Sequence, residues 1–256
     1  MNRSVFVTGA TNGTGYAIAS RFAKEGYDVF ITSRTKENAD EAAAKLQREY
    51  PGIKAFGVGL EVCGEERIKE VFGDIRGKGY LLDTIVFNAA NLGIKQLTLE
   101  VDIKDFIDVF YTNITWNFMM ARQAALMMKE KGKGSIVFIN SNTAYRAIPD
   151  RVAYSASKSG VLGMSRALAV DFGKYGIRCN CVLPGMIKTE RWVNNYNDCR
   201  NAMSNYTPIG DIAEFEDVAN AAWYFGSDES RNTTGAELIV DGGNAIQLYP
   251  VNMPKK

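Results

Sequence analysis

Hydrophobic and polar positions along this chain follow two periods that take turns. Short apolar runs rich in β-branched residues occupy 4–8, 28–33, 53–58, 81–87, 134–140, 177–183 and 236–240, and each predicts a buried strand. Between them, over 16–24, 36–50, 65–75, 105–131, 154–175 and 215–225, apolar residues recur at three- and four-residue spacings, which predicts helices with one buried face. Strand and helix in strict alternation imply parallel strands joined by helical crossovers, because a parallel connection needs a long return. Residues 186–206 break the pattern: they carry Met186, Trp192, Tyr196, Met203 and Tyr206 without a period, as expected of a lid after the sixth strand. The tail 244–256 has two prolines and ends in two lysines.

The turns between elements hold the chemistry. The first strand runs into Gly9-Ala10-Thr11-Asn12-Gly13-Thr14-Gly15 and then a helix. Glycines there let backbone approach a pyrophosphate, and the helix N-terminus offers unpaired N–H groups and a positive dipole end. The second strand ends at Ser33-Arg34, with no carboxylate at Thr32, Ser33 or Thr35. An acidic residue at that place holds the ribose hydroxyls of NAD, whereas an arginine accommodates a 2′-phosphate, so NADP(H) is expected. Glu61-Val62 follows the third strand, and Asn88-Ala89-Ala90 follows the fourth, where small residues would let an adenosine ribose pass close to the chain.

Ser141 closes the fifth strand, and ligands in open parallel sheets bind at the carboxyl ends of strands. Thirteen residues on, Tyr154 and Lys158 stand four apart on a helix, on one face, so that a hydroxyl and an ammonium address one reacting atom. Making a tyrosine a base near neutrality requires about three pKa units, or roughly 4 kcal/mol. A cation at about 4 Å supplies roughly that amount at an effective dielectric near 20, so Lys158 is sufficient in principle.

Composition narrows the alternatives. A chain of 256 residues with 46% hydrophobic and 23% charged positions suits one α/β domain spanning 1–256. Thirty basic against 29 acidic residues, net +1, give no reason to expect nucleic acid or a membrane surface as partner. With no histidine, serine–histidine and cysteine–histidine catalysis and histidine-ligated metals are excluded, and no metal is expected. Four cysteines without paired C-x-x-C spacing read as reduced thiols of a cytoplasmic protein. No basic-then-apolar leader and no run of membrane-spanning length are present.

Thr8-Gly9-x-x-x-Gly13-x-Gly15, Asn88-Ala89-Ala90, Asn113, Ser141, Tyr154-x-x-x-Lys158 and Pro184-Gly185 stand in the order that characterises the short-chain dehydrogenase/reductase family, which the chain resembles from Arg3 to Gly243. The resemblance implies a Rossmann fold: a doubly wound parallel sheet in strand order 3-2-1-4-5-6-7, helices on both faces, assembled as a homotetramer or homodimer. It assigns Tyr154 as catalytic acid/base, Ser141 as the group that hydrogen-bonds the substrate oxygen, and Lys158 as the residue that holds nicotinamide ribose and tunes Tyr154. Asn113 would hold a water in the proton relay, and Pro184, Gly185, Ile187 and Thr189 would lie along the cofactor, with Thr189 on its carboxamide. Two positions depart from the family pattern. Glu61 replaces a common aspartate near the adenine, and Ala89-Ala90-Asn91 replaces the commoner asparagine–alanine–glycine.

The expected activity is therefore an NADP(H)-dependent interconversion of a secondary alcohol and a ketone, with a small-molecule substrate contacted by Ser141, Tyr154, Met186, Trp192 and Tyr196. Their apolar, aromatic character suggests a hydroxysteroid or bile acid first, and a sugar or polyol second. A ketoacyl reductase is the further enzymatic alternative. A catalytically idle redox sensor is the alternative of another class, and the full Asn113, Ser141, Tyr154 and Lys158 set argues against it.

Overall fold

The computed structural model describes residues 3–189 and 203–248. Seven strands, β1 (Ser4–Val7), β2 (Asp28–Ser33), β3 (Ala55–Gly59), β4 (Thr84–Phe87), β5 (Gly134–Ile139), β6 (Ile177–Pro184) and β7 (Glu237–Val240), form one parallel sheet in the order β3-β2-β1-β4-β5-β6-β7. The order reverses beside β1, between β1 and β4, and the carboxyl ends on either side of that reversal open a crevice.

Alternation along each strand builds two cores. In register across the sheet, Phe6 and Phe30 face one side, as do Phe87 and Phe138, whose rings stack at 4.9 Å. Val5, Val7, Val29, Ile31, Val86 and Val137 face the other. Against the aromatic side pack α3 (Glu65–Gly77), α5 (Asn117–Lys131) and α6 (Val152–Gly173), through Ile68, Met120, Ala124, Val161 and Leu168. Against the valine side pack α1 (Gly13–Lys24), α2 (Lys36–Glu49) and α7 (Phe215–Gly226), through Ile18, Phe22, Leu46 and Trp223. Buried on both faces, the central strands contain no polar alternation, as parallel sheets require.

Of the boundaries that differ from the sequence pattern, three have a clear local reason. The third strand starts at Ala55, because Ile53 donates its N–H back to Tyr50 and closes a turn. The fourth starts at Thr84, since Leu82 is buried as a link before the ladder begins. The predicted 105–131 helix begins at Ile103 under an Asp102 cap and is three segments: α4 (Ile103–Phe110), a π-helical stretch Tyr111–Trp116, and α5. An extra residue per turn frees backbone groups there, and Asn113 sits inside that stretch.

Candidate active site

The glycine turn is shaped for close approach. Gly9 has φ +61°, a left-handed conformation in which a side chain is strained. At Gly15 an added Cβ would stand 2.2 Å from the Gly9 carbonyl oxygen and 2.6 Å from Asn88 Nδ2. Thr8 Oγ1 accepts from the backbone N–H of Asn88 and of Ala89, and Asn88 Nδ2 donates to the Thr8 and Gly9 carbonyls. The carboxyl ends of β1 and β4 are thus knitted together. The cavity above them is lined by Gly9, Asn12, Gly13, Thr14, Gly15, Asn88, Thr189 and Phe215. Helix α1 has no acidic residue in its first turn, and Asn12 caps it without a side-chain bond. Its first N–H groups are left for an anion, and a pyrophosphate fits this cradle.

Thr189 reaches the cradle through a second set of bonds. Ala213 donates its N–H to the Met186 carbonyl, Lys188 returns one to Ala213, and Ile187 pairs with Ala213 as an isolated bridge. The Lys188 ammonium then holds both Asp211 and Glu214. Pro184 ends β6, and Gly185 has no room for a side chain, since its Cβ would lie 2.6 Å from Asp241 Cβ. Trp192, Tyr196 and most of the 186–206 lid lie outside the described residues.

At the carboxyl ends of β2 and β3, Ser33 pairs in register with Gly59, so Ser33, Arg34, Glu61 and Val62 gather at adjoining strand ends. Arg34 is exposed. Among the described residues it has no ion pair, because Lys36 engages Asp40, the carboxylate one turn along. Glu61 and Val62 are exposed, Ala89 is half-buried, and Ala90 is exposed.

Ser141, Tyr154 and Lys158 converge beside β5. Ser141 sits in extended backbone at the strand's carboxyl end and accepts from Thr143 N–H. Tyr154 lies in the first turn of α6, near the helix's positive end. Burial raises its pKa above the ordinary tyrosine value, and a hydrogen bond with Ser141 and the charge of Arg151 pull it partly back. Lys158 is turned toward the backbone here. The Lys158 Nζ lies 5.6 Å from the Tyr154 ring centroid and donates to the Ile139 carbonyl at 3.0 Å. Lys158 itself is buried, and loss of hydration lowers its pKa to about 8. Desolvation therefore leads at this tyrosine, with Ser141 and Arg151 opposing it, while the Lys158 ammonium is engaged by a backbone carbonyl.

Asn113 is buried in the π-helical stretch. Its Nδ2 donates to the Asn91 carbonyl and to Ser157 Oγ, and its Oδ1 accepts from Asn91 N–H. Both amide hydrogens are spent on protein, so the side chain staples the β4–α4 loop to α6. Its main-chain carbonyl accepts from Asn117 Nδ2 at 3.0 Å and keeps a second lone pair.

Sequence reasoning missed four participants: Thr8 as the knot between strands, Phe215 as a cavity wall, Asn91 as the partner of Asn113, and Arg151 beside Tyr154. Two of them had a local signal: Thr8 heads the glycine motif, and Arg151 stands three residues before the tyrosine, at the N-cap of its helix.

A second cavity, lined by Leu92, Gly93, Ile94, Val101, Phe106, Val109, Asp150, Arg151 and Tyr154 among others, adjoins the tyrosine. Among the described residues no group of His, Cys, Asp or Glu is arranged to hold a metal, and no helix is long and apolar enough to cross a membrane.

Residues 9–245 match the protein family described as enoyl-(acyl carrier protein) reductase. Glucose 1-dehydrogenase 2 of Bacillus subtilis strain 168 is 32% identical over 250 residues, covering 97% of this chain and 96% of that protein. A 3beta-hydroxysteroid dehydrogenase of Mediterraneibacter gnavus is 32% identical over 260 residues, covering 93% of each. Among solved structures, ElxO with NADP bound superposes with a TM-score of 0.88 at 30% identity, covering 96% of this chain and all 100% of that one.

Proposed function

The chain belongs to the short-chain dehydrogenase/reductase family of oxidoreductases, and from that membership we propose that it interconverts a secondary alcohol and a ketone with NADP(H). The observation that carries this reading is that the glycine-turn cavity, with Thr189 on its wall, and the hydrogen-bonded Ser141–Tyr154 pair both stand at the carboxyl ends of adjoining strands, β1, β4 and β5. When bound, NADP(H) supplies or accepts the hydride, which no side chain here can do.

The chain's own residues handle binding and the proton. The first turn of α1 and the Gly9–Gly15 backbone hold the pyrophosphate, while Ser33 and Arg34 take the 2′-phosphate. Ser141 hydrogen-bonds the substrate oxygen, and Tyr154 gives that oxygen its proton in reduction or removes it in oxidation. Lys158 holds nicotinamide ribose. With the ribose held there, the Lys158 charge would stand beside the phenol and would supply the tuning that lowers its pKa. Asn113 acts through its carbonyl and by fixing the β4–α4 loop. A raised Tyr154 pKa suits the role of acid, which favours ketone reduction near neutral pH.

The substrate reading is a hydroxysteroid or bile acid. Leu92, Ile94, Val101, Phe106 and Val109 beside Tyr154 support an apolar ligand, as does the hydroxysteroid-dehydrogenase relative. A sugar or polyol is the second reading, favoured by Gln96, Asp105 and Asp150 in the same wall and by the glucose-dehydrogenase relative. Leu97, Leu99, Ile103 and Ile107 stand exposed before and along α4 and support association with further copies into a dimer or tetramer. The three described thiols, Cys63, Cys179 and Cys181, are unbridged, which is consistent with a reducing cytoplasm.

The test is NADPH oxidation, followed at 340 nm, against a panel of steroid, bile-acid and sugar ketones. Steroid turnover supports the leading reading, and sugar turnover alone replaces it with the second. Purified protein that binds NADPH yet turns over no ketone or alcohol would return the chain to the sensor alternative.

A further inference from the structure

Arg151 is half-buried at the start of α6, and its Nη1 donates to two carbonyls of the β4–α4 loop: Leu92 at 3.0 Å and Gly93 at 2.6 Å. The neighbouring residue repeats the tie, since Gln96 N–H donates to the Asp150 carbonyl at 3.2 Å. Asp150 is also the one non-glycine residue with positive φ, 61°, among those described. A left-handed conformation in a residue with a side chain costs energy and persists where surrounding contacts enforce it. Here the enforced turn aims the arginine back across the loop. Leu92, Gly93, Gln96, Arg151 and Tyr154 all line one cavity.

We infer that Arg151 is a positioning residue of the active site, which straps the loop forming one wall of the cavity to α6 and keeps a permanent positive charge in the cavity of Tyr154. The inference rests on the proposed acid/base role of Tyr154. Among the described residues the loop is otherwise tied at Asn91, through Asn113, and at Gln96, through the Asp150 carbonyl, so without the arginine the segment from 92 to 96 loses its side-chain anchor to the start of α6.

The charges around Tyr154 make Arg151 the persistent one. From α6 comes Lys158, from its N-cap Arg151, and from the turn before it Asp150. Across the cavity α4 contributes Asp105. From the segment just after β5 the uncharged Ser141 reaches it. Lys158 is bound to Ile139 and loses its proton as pH passes about 8. An arginine stays charged throughout the accessible range, and this one opposes the rise that burial imposes on the phenol.

Two measurements that need no substrate test this. The Tyr154 phenolate is titrated at 295 nm as the difference between each protein and its Y154F counterpart, for wild type, R151Q and R151K. Hydrogen exchange reads the amides from 92 to 96, with β5 amides as the reference for overall stability. For R151Q the expected result is a Tyr154 midpoint about 0.5–1 pH unit higher, as for one charge removed along a partly solvated path. Loop exchange should be at least ~5-fold faster while β5 is unchanged. R151K should keep the wild-type midpoint, because it restores the charge. An unmoved midpoint in R151Q, or a midpoint that moves equally in R151K, overturns the electrostatic role. Wild-type loop exchange in R151Q overturns the strap. Because neither readout uses turnover, a failed dehydrogenase assignment and a failed Arg151 assignment are separate results.

Discussion

The ammonium of Lys158 is bonded to the carbonyl of Ile139 at 3.0 Å, and this internal bond occupies the lysine that the reaction would employ. Burial holds its pKa at about 8 against an ordinary 10.5. Below pH 8 folded and unfolded chains both carry the proton, and the fold bears the full cost of a buried cation. Between about 8 and 10.5 the unfolded chain binds more protons, so stability rises with pH. Lys158→Met should therefore stabilise the cofactor-free protein at pH 7 by about 1–3 kcal/mol, the lower end reflecting the orphaned Ile139 carbonyl. Its stability should also lose the rise above pH 8. Urea melts of both proteins at pH 7, 8, 9 and 10 measure this, and parallel pH profiles would refute it.

Tyr154→Phe removes a hydroxyl and little volume. Cofactor affinity should stay near wild type while turnover falls by about 10² to 10⁴, the range of a lost general acid/base. Steady-state rates beside NADPH fluorescence titration separate the two effects, and retained turnover would dismiss Tyr154 from the proton step.

Gly15→Ala places a methyl 2.2 Å from the Gly9 oxygen, well inside contact distance. The obstacle is backbone, which cannot rotate aside, so the turn must shift. Destabilisation of about 1–3 kcal/mol is expected, together with a loss of NADPH binding larger than any change in substrate KM. Thermal melts with and without NADPH give both numbers, and unaltered ligand stabilisation would remove the glycine turn from the cofactor site.

Arg34 has no partner among the described residues, while Lys36 holds Asp40. A charge-assisted bond to a 2′-phosphate contributes roughly 1.5–3 kcal/mol, or about a ten- to hundredfold preference for NADP(H) over NAD(H). Arg34→Asp should abolish that preference, improve NADH binding, and weaken the salt dependence of affinity. Titration of both cofactors at two ionic strengths decides it, and equal wild-type affinities would defeat the assignment.

Most of the architecture was legible in residue order because its causes are local. Unbroken apolar runs alternating with three- and four-residue periods specify parallel strands under helices, and Gly9, Gly13 and Gly15 mark a turn that only glycine tolerates. Ser141, Tyr154 and Lys158 were found the same way, since four residues on a helix and the end of a strand are short-range geometry. Strand edges were less legible, because whether Ile53 or Leu82 joins a ladder depends on where neighbouring strands begin.

What folding alone decided is which groups face one another across elements distant in sequence. Asn113 looked like a solvent-facing or water-holding helix residue, yet its amide is consumed by Asn91 and Ser157 across two other segments. Arg151 looked like any basic residue before a helix, until the left-handed turn at Asp150 aimed it at Leu92 and Gly93. Lys158 carried a charge on paper, and packing put it where water cannot reach, lowering its proton affinity and handing it to a backbone carbonyl. Residue type and spacing determine which chemistry is possible. Desolvation and hydrogen-bond partnering, which exist only once the chain has packed, decide the protonation and direction in which that chemistry is held.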